Sequence, residues 1–344
     1  MDTFREILDF LHYHPQASRE EIRNAINFSA SDATLKRIIN SLVEKGDIMV
    51  EGKARATRYS LSSSAHLLMP ISLDTYFAND IDNRQVQINF NFALINEQLP
   101  KVQLFTQEEL TLLNELQQEF LSHIHQMSEN EYRNEMERLG IDLSWKSSQI
   151  EGNTYSLLET ERLLRESKTA EGKTKDEAIM LLNHKEALHF ILAEPNYLKE
   201  LSISHIEDIH SLLIEGLSVD KGLRHRRVGI TGTQYRPLDN EFQIREAIND
   251  ACTLINNREN VFEKALLALV LISYIQPFSD GNKRTARITS NAILIANGYC
   301  PLSFRTVDSI DYKKAMLIFY EQNNIHAFKQ IFLNQYRFAV KEYF

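Results

Sequence analysis

Long segments of periodic apolar residues constrain the fold of this chain more than any other feature of its sequence. The 344 residues include only 7 Pro and 11 Gly, and no low-complexity tract interrupts them. Because proline and glycine are the strongest helix breakers, their scarcity favours long helices. A chain of this length is also sufficient for two or three domains. The sequence therefore predicts a mostly α-helical protein with more than one domain.

Residues 1–62 show the order helix, helix, helix and hairpin. Apolar spacing predicts a first helix over Thr3–Tyr13. Ser18 and Ser31 are typical N-caps of a second and a third helix, and Gly46 is a typical helix end. Two strand-like runs follow, at Ile48–Val50 and Thr57–Leu61. This order is typical of a winged helix-turn-helix domain, which we predict for residues 1–62.

Basic side chains occur on the predicted third helix and hairpin, where a winged helix would contact DNA phosphates. They are Lys36, Arg37, Lys53, Arg55 and Arg58. Residues 1–62 nevertheless contain nine Lys/Arg and nine Asp/Glu, so the unit has no net positive charge. The whole chain has a formal net charge of −9, which argues against loose binding of nucleic acid by the chain as a whole. We predict DNA binding through residues 1–62, with protein docking as the alternative.

Residues 63–100 are predicted to connect this unit to a second domain, 101–344, and to pack along it. The second domain is predicted to consist of successive helices. They cover about Thr106–Gln126, Glu129–Lys146, Ser156–Glu166, Thr174–Glu194, Ser204–Gly216, Glu241–Asn256, Val261–Ile275, Asn282–Asn297, Ser309–Gln322 and Ile325–Tyr343. One segment differs: Val228–Pro237 (VGITGTQYRP) alternates β-branched residues with glycine and predicts a small hairpin.

The location of the protein is predicted from what its sequence lacks. No run of about 18 apolar residues occurs, so no membrane span is expected. The first residues, MDTFREILDF, carry acidic side chains and lack the apolar core of a signal peptide. Cys252 and Cys300 each lie in an apolar stretch, which favours two buried thiols in a reducing compartment. We therefore predict a cytoplasmic protein without a membrane partner.

The loop Gln276–Arg287 (QPFSDGNKRTAR) carries the strongest chemical signal in the chain. Pro277 ends the preceding apolar helix, and a new helix begins near Asn282. Gly281 lacks a Cβ atom, so the backbone at this turn can approach a ligand closely. The free N–H groups at the start of the second helix point into the turn, where they favour an anion.

The charged residues of this loop suit a polyphosphate. Lys283, Arg284 and Arg287 place positive charge at a helix start, where it opposes the helix dipole and costs stability. A bound anion would offset that cost. Asp280 lies at the same turn and is suited to hold a Mg²⁺ ion that bridges phosphates. The sequence therefore predicts a site for a nucleotide with Mg²⁺.

This loop resembles the signature of the Fic (Fic/Doc) family, HPFx(D/E)GN(G/K)RxxR, at every defined position except the first. Ser147–Gly152 (SSQIEG) resembles the inhibitory motif of the family, (S/T)xxxE(G/N), in the class that carries this motif upstream in the same chain. VGITGTQYRP resembles the flap that positions the target peptide. The resemblance covers about residues 100–300 and implies a Fic-type helical bundle with a small hairpin flap, preceded here by the winged helix.

The resemblance implies transfer of AMP from ATP, with Mg²⁺, to a hydroxyl group of a target protein. Phe278 would anchor the loop and Asp280 would hold the metal. Backbone and side-chain contacts to the phosphates would come from Gly281, Asn282, Lys283, Arg284 and Arg287, with Arg284 at the β-phosphate and Arg287 at the γ-phosphate. Tyr312 is a candidate neighbour of the adenine, with ordinary core packing as the favoured alternative.

Two further groups of residues receive roles from the resemblance. Ser147, Glu151 and Gly152 would form the inhibitory motif. Glu151 would pair with Arg287 in the resting state, so that ATP binds misaligned for in-line attack. The flap residues would position the target: Gly229, Ile230, Thr231, Gly232 and Thr233. Phosphate or another nucleotide as the transferred group, and a homo-oligomeric assembly, remain open.

Gln276 stands where the family signature has the histidine that accepts the proton of the target hydroxyl. A carboxamide can orient a hydroxyl group but cannot take its proton near neutral pH. General-base catalysis contributes about 10²–10⁴-fold, so transfer should be slow or absent while nucleotide binding persists. Gln276 is an engineered substitution, or a natural residue of a nucleotide-sensing pseudo-enzyme, or else another base serves. The candidate bases are His205, His210 and His225. The rival function is a transcriptional regulator that senses a nucleotide.

Overall fold

A computed structural model of the chain describes residues 3–344. The first part of it, the amino-terminal unit (residues 3–62), contains three helices and one hairpin. These elements are α1 (Thr3–Tyr13), α2 (Arg19–Ala25), α3 (Asp32–Glu44), β1 (Ile48–Glu51) and β2 (Arg58–Leu61). Their order is the one that the sequence predicts.

Local hydrogen bonds explain where the helices of this unit begin and end. Ser18 Oγ accepts from the Glu21 N–H (3.2 Å), and the Glu21 carboxylate accepts from the Ser18 N–H (2.6 Å), which completes a capping box. Gly46 has a φ of +80°, a conformation that glycine adopts without strain. The Asp47 N–H bonds the Leu42 carbonyl at 2.9 Å, as in a Schellman motif that ends α3.

The hairpin and the three helices share a small core of their own. β1 and β2 pair antiparallel, with Ile48 opposite Leu61 and Glu51 opposite Arg58. The buried core residues are Ile7, Leu11, Ala17, Ile22, Leu35, Ile39, Leu42 and Ile48. The amino-terminal unit is therefore held together by its own apolar contacts, and its classification as a winged helix remains a prediction.

Residues 63–100 are bonded to the carboxy-terminal part of the molecule, and their role as a segment that connects two domains remains a prediction. They include α4 (Ser63–Leu68), α5 (Leu73–Phe77), a 3₁₀ turn at Ile81–Asn83 and a π-helical stretch at Leu94–Gln98. The Ile325 N–H donates to the Leu67 carbonyl (2.8 Å), and the Gln87 N–H donates to the Glu321 carbonyl (2.8 Å). These backbone bonds attach the connecting segment to the carboxy-terminal helices.

The larger part of the molecule is a bundle of helices around one apolar core. The helices are α6 (Gln107–Gln126), α7 (Glu129–Ile150), α8 (Leu157–Glu166), α9 (Lys175–Ala193), α10 (Ile203–Leu213), α11 (Glu241–Asn257), α12 (Val261–Ile275), α13 (Asn282–Ala296), α14 (Ser309–Gln322) and α15 (His326–Tyr343). α12 is buried on every side from Ala265 onward, and it packs against α13. The loop between α12 and α13 is thus anchored at both ends in the centre of the bundle.

The end of α7 differs from the prediction. The predicted helix stops at Lys146, whereas α7 continues to Ile150. Ser147 and Ser148 are fully buried, so their polar side chains do not mark a surface loop. The correction places Glu151 at the C-cap of a long helix, from which its side chain reaches the centre of the molecule.

The hairpin predicted for Val228–Pro237 does not form. This segment contains a turn at Thr231–Gly232, and its residues form no strand pair with one another. The Arg236 N–H instead donates to the carbonyl of Ile88 (2.7 Å), beside an isolated parallel bridge between Asn89 and Arg236. The prediction was wrong because the partner of this extended segment lies in the connecting segment rather than in the segment itself.

The two cysteines are free and buried, as predicted. Burial raises the pKa of Cys252 to about 12, so this side chain is a neutral thiol. Within residues 3–344, each helix is too short or too polar to cross a membrane. The compartment and the assembly state of the protein remain predictions.

Candidate functional site

The loop between α12 and α13 is closed by the side chain of Asn282. Its Oδ1 accepts from the Phe278 N–H (2.8 Å), and its Nδ2 donates to the Phe278 carbonyl (2.8 Å) and to Gln276 Oε1 (3.0 Å). Asn282 is buried, so these bonds exchange little with water. Its side chain maintains the shape of the loop, which leaves its backbone N–H for the predicted phosphate contact.

Gln276 is fixed by hydrogen bonds from both its side chain and its backbone carbonyl. Its backbone is left-handed, with φ +51° and ψ +59° at the end of α12. Its Nε2 donates to the Ser273 carbonyl (2.6 Å), and its own carbonyl accepts from Arg224 Nε (2.6 Å). Because its Oε1 accepts from Asn282, the carboxamide is committed to protein partners and offers no basic atom.

His210 supports the loop from within the bundle. Its ring stacks on Phe278 with centroids 3.7 Å apart and an interplanar angle of 5°. His210 Nε2 lies 3.0 Å from the Asp280 carbonyl, and since a carbonyl only accepts, Nε2 carries the proton. Burial lowers the pKa of His210 to about 4, so the ring is neutral near pH 7. Phe278 is fully buried and anchors the loop.

The start of α13 offers backbone donors to the loop. Gly281 precedes the helix with a φ of +81°, and it supplies no side chain to cap the first N–H groups. A Cβ atom at this position would lie 3.4 Å from His210 Cδ2 and would force a conformation that other residues rarely adopt. The uncapped N–H groups and the helix dipole together favour an anion at this end of α13.

Arg284 is buried and paired in this structure. Its side chain is 2% exposed, and its Nη2 lies 3.3 Å from Asp280 Oδ2. Its Nη1 donates to the Leu213 carbonyl at 3.4 Å. The Asp280 side chain is 69% exposed, so it remains accessible to a cation. In the described part of the chain, no cluster of three or more His, Cys, Asp or Glu side chains that could hold a metal ion occurs.

Arg287 is fully buried and bonded to the end of α7. Its Nη2 donates to Glu151 Oε1 (2.8 Å) and to the Ser147 carbonyl (3.0 Å), and its Nε donates to Ser147 Oγ (2.8 Å). Ser147 Oγ lies 2.9 Å from Nε2 of the buried His184. Lys283 Nζ contacts the second oxygen of Glu151 at 3.0 Å. Glu151 therefore occupies two cations of the loop at once.

The ionisation of Glu151 reflects these two contacts. Burial by itself would raise the pKa of this carboxyl group, but the positive charges of Arg287 and Lys283 outweigh burial and lower its pKa to about 2. Its side chain is 19% exposed, so solvent screens the pair only in part. The carboxylate is consequently charged throughout the physiological range. Gly152 follows it with a φ of +100°, and a Cβ atom there would meet no neighbour within 4 Å.

A cavity of about 400 Å³ opens above the loop. From the predicted site it is lined by Glu151, Gln276, Asp280, Gly281, Asn282 and Lys283. Arg284 and Arg287 do not line it, because their side chains are engaged behind the loop. A larger cavity of about 580 Å³ lies near Asn257, Asn260 and Glu263, away from the predicted residues. The cavity at the loop, unlike the larger one, combines uncapped backbone donors with the predicted charges.

The segment predicted as the flap contributes part of one wall. Gly229, Ile230 and Thr231 line the cavity. Gly232 and Thr233 lie beyond it: the Gly232 carbonyl accepts from Arg84 (2.6 Å), and Thr233 Oγ1 accepts from the Tyr235 N–H (3.0 Å).

One face of α14 also lines the cavity, and sequence reasoning missed it. Its residues are Lys313, Met316, Leu317 and Tyr320. Their spacing at i, i+3, i+4 and i+7 is that of one helix face, and this spacing was the available signal. Tyr312 lies on another side of α14, fully buried with its ring centre 5.2 Å from the Arg287 guanidinium carbon. Core packing of Tyr312, the favoured alternative, is confirmed.

None of the described residues that line this cavity is a histidine. His205 Nδ1 contacts the Glu200 carbonyl (2.8 Å), and the exposed His225 pairs with Glu241 (2.9 Å). His210 faces the loop backbone from below. The contacts of the three candidate histidines thus favour structural roles over that of a general base.

The basic residues of the amino-terminal unit remain accessible. Lys36, Arg37, Lys53, Arg55 and Arg58 are all exposed. They lie on α3, on β2 and on the turn between the strands. This arrangement leaves both α3 and the hairpin available to a nucleic acid or a protein.

Comparison with known proteins adds independent findings. A family model described as the Fic/DOC family matches residues 200–294. The protein adenylyltransferase Fic of Nematostella vectensis is 29% identical over 244 residues, covering 68% of this chain and 54% of that protein. The protein adenylyltransferase fic-1 of Caenorhabditis elegans is 28% identical over 160 residues, covering 44% of this chain and 31% of that protein. The chain thus spans about half or less of the length of these relatives.

Solved structures show the same fold. The structure of Fic-1 from C. elegans matches with a TM-score of 0.60 and 21% identity, over 68% of this chain and 71% of that one. A Fic domain containing signaling protein from Bacteroides thetaiotaomicron matches with a TM-score of 0.56 and 19% identity, over 67% of this chain and 94% of that one. Residues 200–294 therefore match a Fic/DOC family domain, and the protein has a mostly helical, Fic-like fold.

Proposed function

We propose that this protein is an ATP-binding AMP transferase of the Fic type, held in a resting state by Glu151. The observation that carries the proposal is the contact of Glu151 with Arg287 (2.8 Å) and Lys283 (3.0 Å) at the edge of the loop cavity. Both cations lie in the segment predicted to bind phosphates. A carboxylate that holds them competes with the phosphates of a nucleotide, since both anions need the same donors.

The proposed reaction places a target hydroxyl opposite the leaving pyrophosphate of ATP. An O–P bond forms at the α-phosphorus, the bond to the β-phosphate oxygen breaks, and pyrophosphate leaves. The backbone N–H groups at the start of α13 would hold the phosphates, with Arg284 and Arg287 adding charge once Arg287 is released. Asp280 would hold Mg²⁺, which, when bound, neutralises phosphate charge. The hydroxyl proton would pass to water in the unaltered chain, because the held carboxamide of Gln276 cannot accept it, and to the imidazole in Gln276→His.

Four forms of the chain test this proposal: unaltered, Glu151→Gly, Gln276→His, and both substitutions together. Each is incubated with ATP labelled on the α-phosphate, and label on the protein or on lysate proteins is measured. We expect the double variant to be the most active, with restored His raising transfer by about 10²–10⁴-fold over Glu151→Gly. Glu161→Gln, an exposed change on α8, is the control. Absence of transfer in the double variant, with its fold intact, contradicts the proposal.

A second function is favoured by the amino-terminal unit together with Gln276. A chain that binds a nucleotide without transferring it could regulate DNA binding through α3 and the hairpin. Gel shift against genomic fragments at physiological salt, with and without ATP, tests this proposal. The matched variant replaces Lys36 and Arg37 with acidic residues. We expect that this variant no longer shifts the mobility of DNA fragments that the unaltered chain binds. No sequence-selective binding by the unaltered chain eliminates this function and leaves protein docking for residues 1–62.

A further inference from the structure

The turn at Thr231–Gly232 is held from outside its own segment. Arg84, in the connecting segment, donates from Nη2 to the Gly232 carbonyl (2.6 Å). Nearby, Gln234 Nε2 donates to Asp82 Oδ1 (3.0 Å), and the Arg236 N–H donates to the Ile88 carbonyl (2.7 Å). The segment that walls the cavity is therefore bonded at three places to residues 81–89, and Tyr235 also attaches it to α12 through the Tyr274 carbonyl (2.9 Å).

Arg84 is itself fixed by a buried carboxylate on α14. Its Nη2 lies 3.4 Å from Glu321 Oε1, and the two side chains are 5% and 0% exposed. Glu321 Oε2 also accepts from the Tyr76 hydroxyl (2.7 Å). The Arg84 guanidinium carbon lies 5.0 Å from the centre of the Phe77 ring, which restricts its rotation. Removing one partner of a charge pair this deeply buried would leave the other charge uncompensated in the interior.

Glu321 directly follows Tyr320, which lines the cavity. The Arg84–Glu321 pair thus connects α14 to the turn at Gly232, which directly follows the lining residues of the segment. The pair lies in the protein interior, and its atoms are not among those that line the cavity. Its effect on a ligand would therefore act through the placement of the wall.

We propose that Arg84 is a positioning residue for the segment 229–233, and that it sets the geometry in which this segment receives a target peptide. The proposal rests on the proposed function for its substrate, a protein hydroxyl. The part of the proposal that concerns the order of the segment does not depend on that function, because Arg84 and Glu321 would order the segment whether or not transfer occurs.

The experiment compares Arg84→Lys, Arg84→Met and the double variant Arg84→Met with Glu321→Gln. The single Met variant leaves Glu321 charged and buried, which can unfold the protein, whereas the double variant removes both charges. Lysine keeps the charge and a donor for Gly232. Arg133→Met is the control, since Arg133 is 69% exposed and pairs with Glu129 on the surface.

Hydrogen exchange at the Arg236 amide, which bonds Ile88, reports the order of the segment. In the double variant we expect exchange about tenfold or more faster, with recovery in Arg84→Lys and no change in the control. Exchange of the buried α12 amides should be unaltered. Equal exchange at Arg236 in the folded double variant and in the unaltered chain overturns the proposal.

A second readout separates this proposal from the proposed function. In a background of Gln276→His with Glu151→Gly, the double variant should raise the KM for a protein target several-fold while the KM for ATP stays unchanged. If that background shows no transfer, the proposed function fails, and the exchange result still decides the role of Arg84. If KM for the target is unchanged although exchange is faster, the claim about target geometry is wrong.

Discussion

The loop between α12 and α13 and the segment Val228–Pro237 form adjacent walls of one cavity but differ in how far they are held by their own residues. The loop has an internal brace, because the buried Asn282 bonds Phe278 and Gln276, in addition to its outside contacts with Arg224 and His210. The segment is held from without, by Arg84 and by the Ile88 carbonyl. A wall with internal bonds keeps its shape when its surroundings change, whereas an externally held wall moves with its partners. Under the proposed function, the internally braced wall would hold the nucleotide and the externally held wall would receive the protein target.

The largest effect is expected from Asn282→Ala, which removes the internal brace. Its side chain makes three buried hydrogen bonds, so we expect the free energy of unfolding to fall by about 2–4 kcal/mol, at roughly 1 kcal/mol per bond. Urea denaturation measures the change. Asn297→Ala, which loses one bond to the Ile293 carbonyl, is the control and should cost about 1 kcal/mol. If Asn282→Ala lowers the free energy of unfolding by less than Asn297→Ala does, the side chain of Asn282 does not brace the loop.

Glu151→Gln should produce the next largest effect, and one that depends on pH. The pKa of Glu151 is lowered from 4.5 to about 2, so the folded state releases its proton more readily than the unfolded state. The resulting stability is present in full above about pH 4.5 and is lost as pH falls through about 2. A shift of this size corresponds to at most about 3 kcal/mol.

The measurement is the difference in unfolding free energy between the unaltered chain and Glu151→Gln, at pH 6 and near pH 3. We expect a large difference at pH 6 that narrows near pH 3. Glu161→Gln is the control, because Glu161 contacts only Arg165 on the surface. If the difference in unfolding free energy is the same at both pH values, the charge of Glu151 does not stabilise the folded state.

The smallest effect concerns two glycines of the externally held wall. Gly232 has a φ of +89°, in the left-handed region that favours glycine. The φ of Gly229 lies outside that region, and no atom lies within 4 Å of its Cβ position. Gly232→Ala should therefore destabilise the chain by about 1 kcal/mol, and Gly229→Ala by less than half of that. Thermal denaturation of the two variants side by side gives the comparison. Equal effects would show that the turn relaxes freely, contrary to its fixation by Arg84.

The same contrast explains which features were predictable from the sequence. Helix starts such as Ser18 and the loop of Gln276–Arg287 depend on neighbours a few residues away, so sequence reasoning placed them correctly. The Val228–Pro237 segment depends on Ile88, far away in the chain, and its predicted hairpin was wrong. The wall from α14 was missed because its helical spacing indicated an apolar face without indicating what that face covers.

Within the site, the charged residues were easier to predict than the contacts and the burial of their side chains. The family resemblance implied that Glu151 pairs with Arg287, and the structure brings the two side chains within 2.8 Å. The sequence did not indicate that Lys283 would join them or that Arg284 would turn away toward Leu213. Those contacts depend on how α7 and α10 pack around α13, which local patterns do not determine.

The most direct test of the account is calorimetry of Mg-ATP and Mg-ADP with the unaltered chain and with Glu151→Gln. If Glu151 withholds Arg287 from the γ-phosphate, the unaltered chain should bind the two nucleotides about equally. The variant should then bind ATP about tenfold more tightly than ADP, or by about 1.4 kcal/mol. Equal binding of ATP and ADP by the variant, or no heat with either nucleotide, would contradict the account.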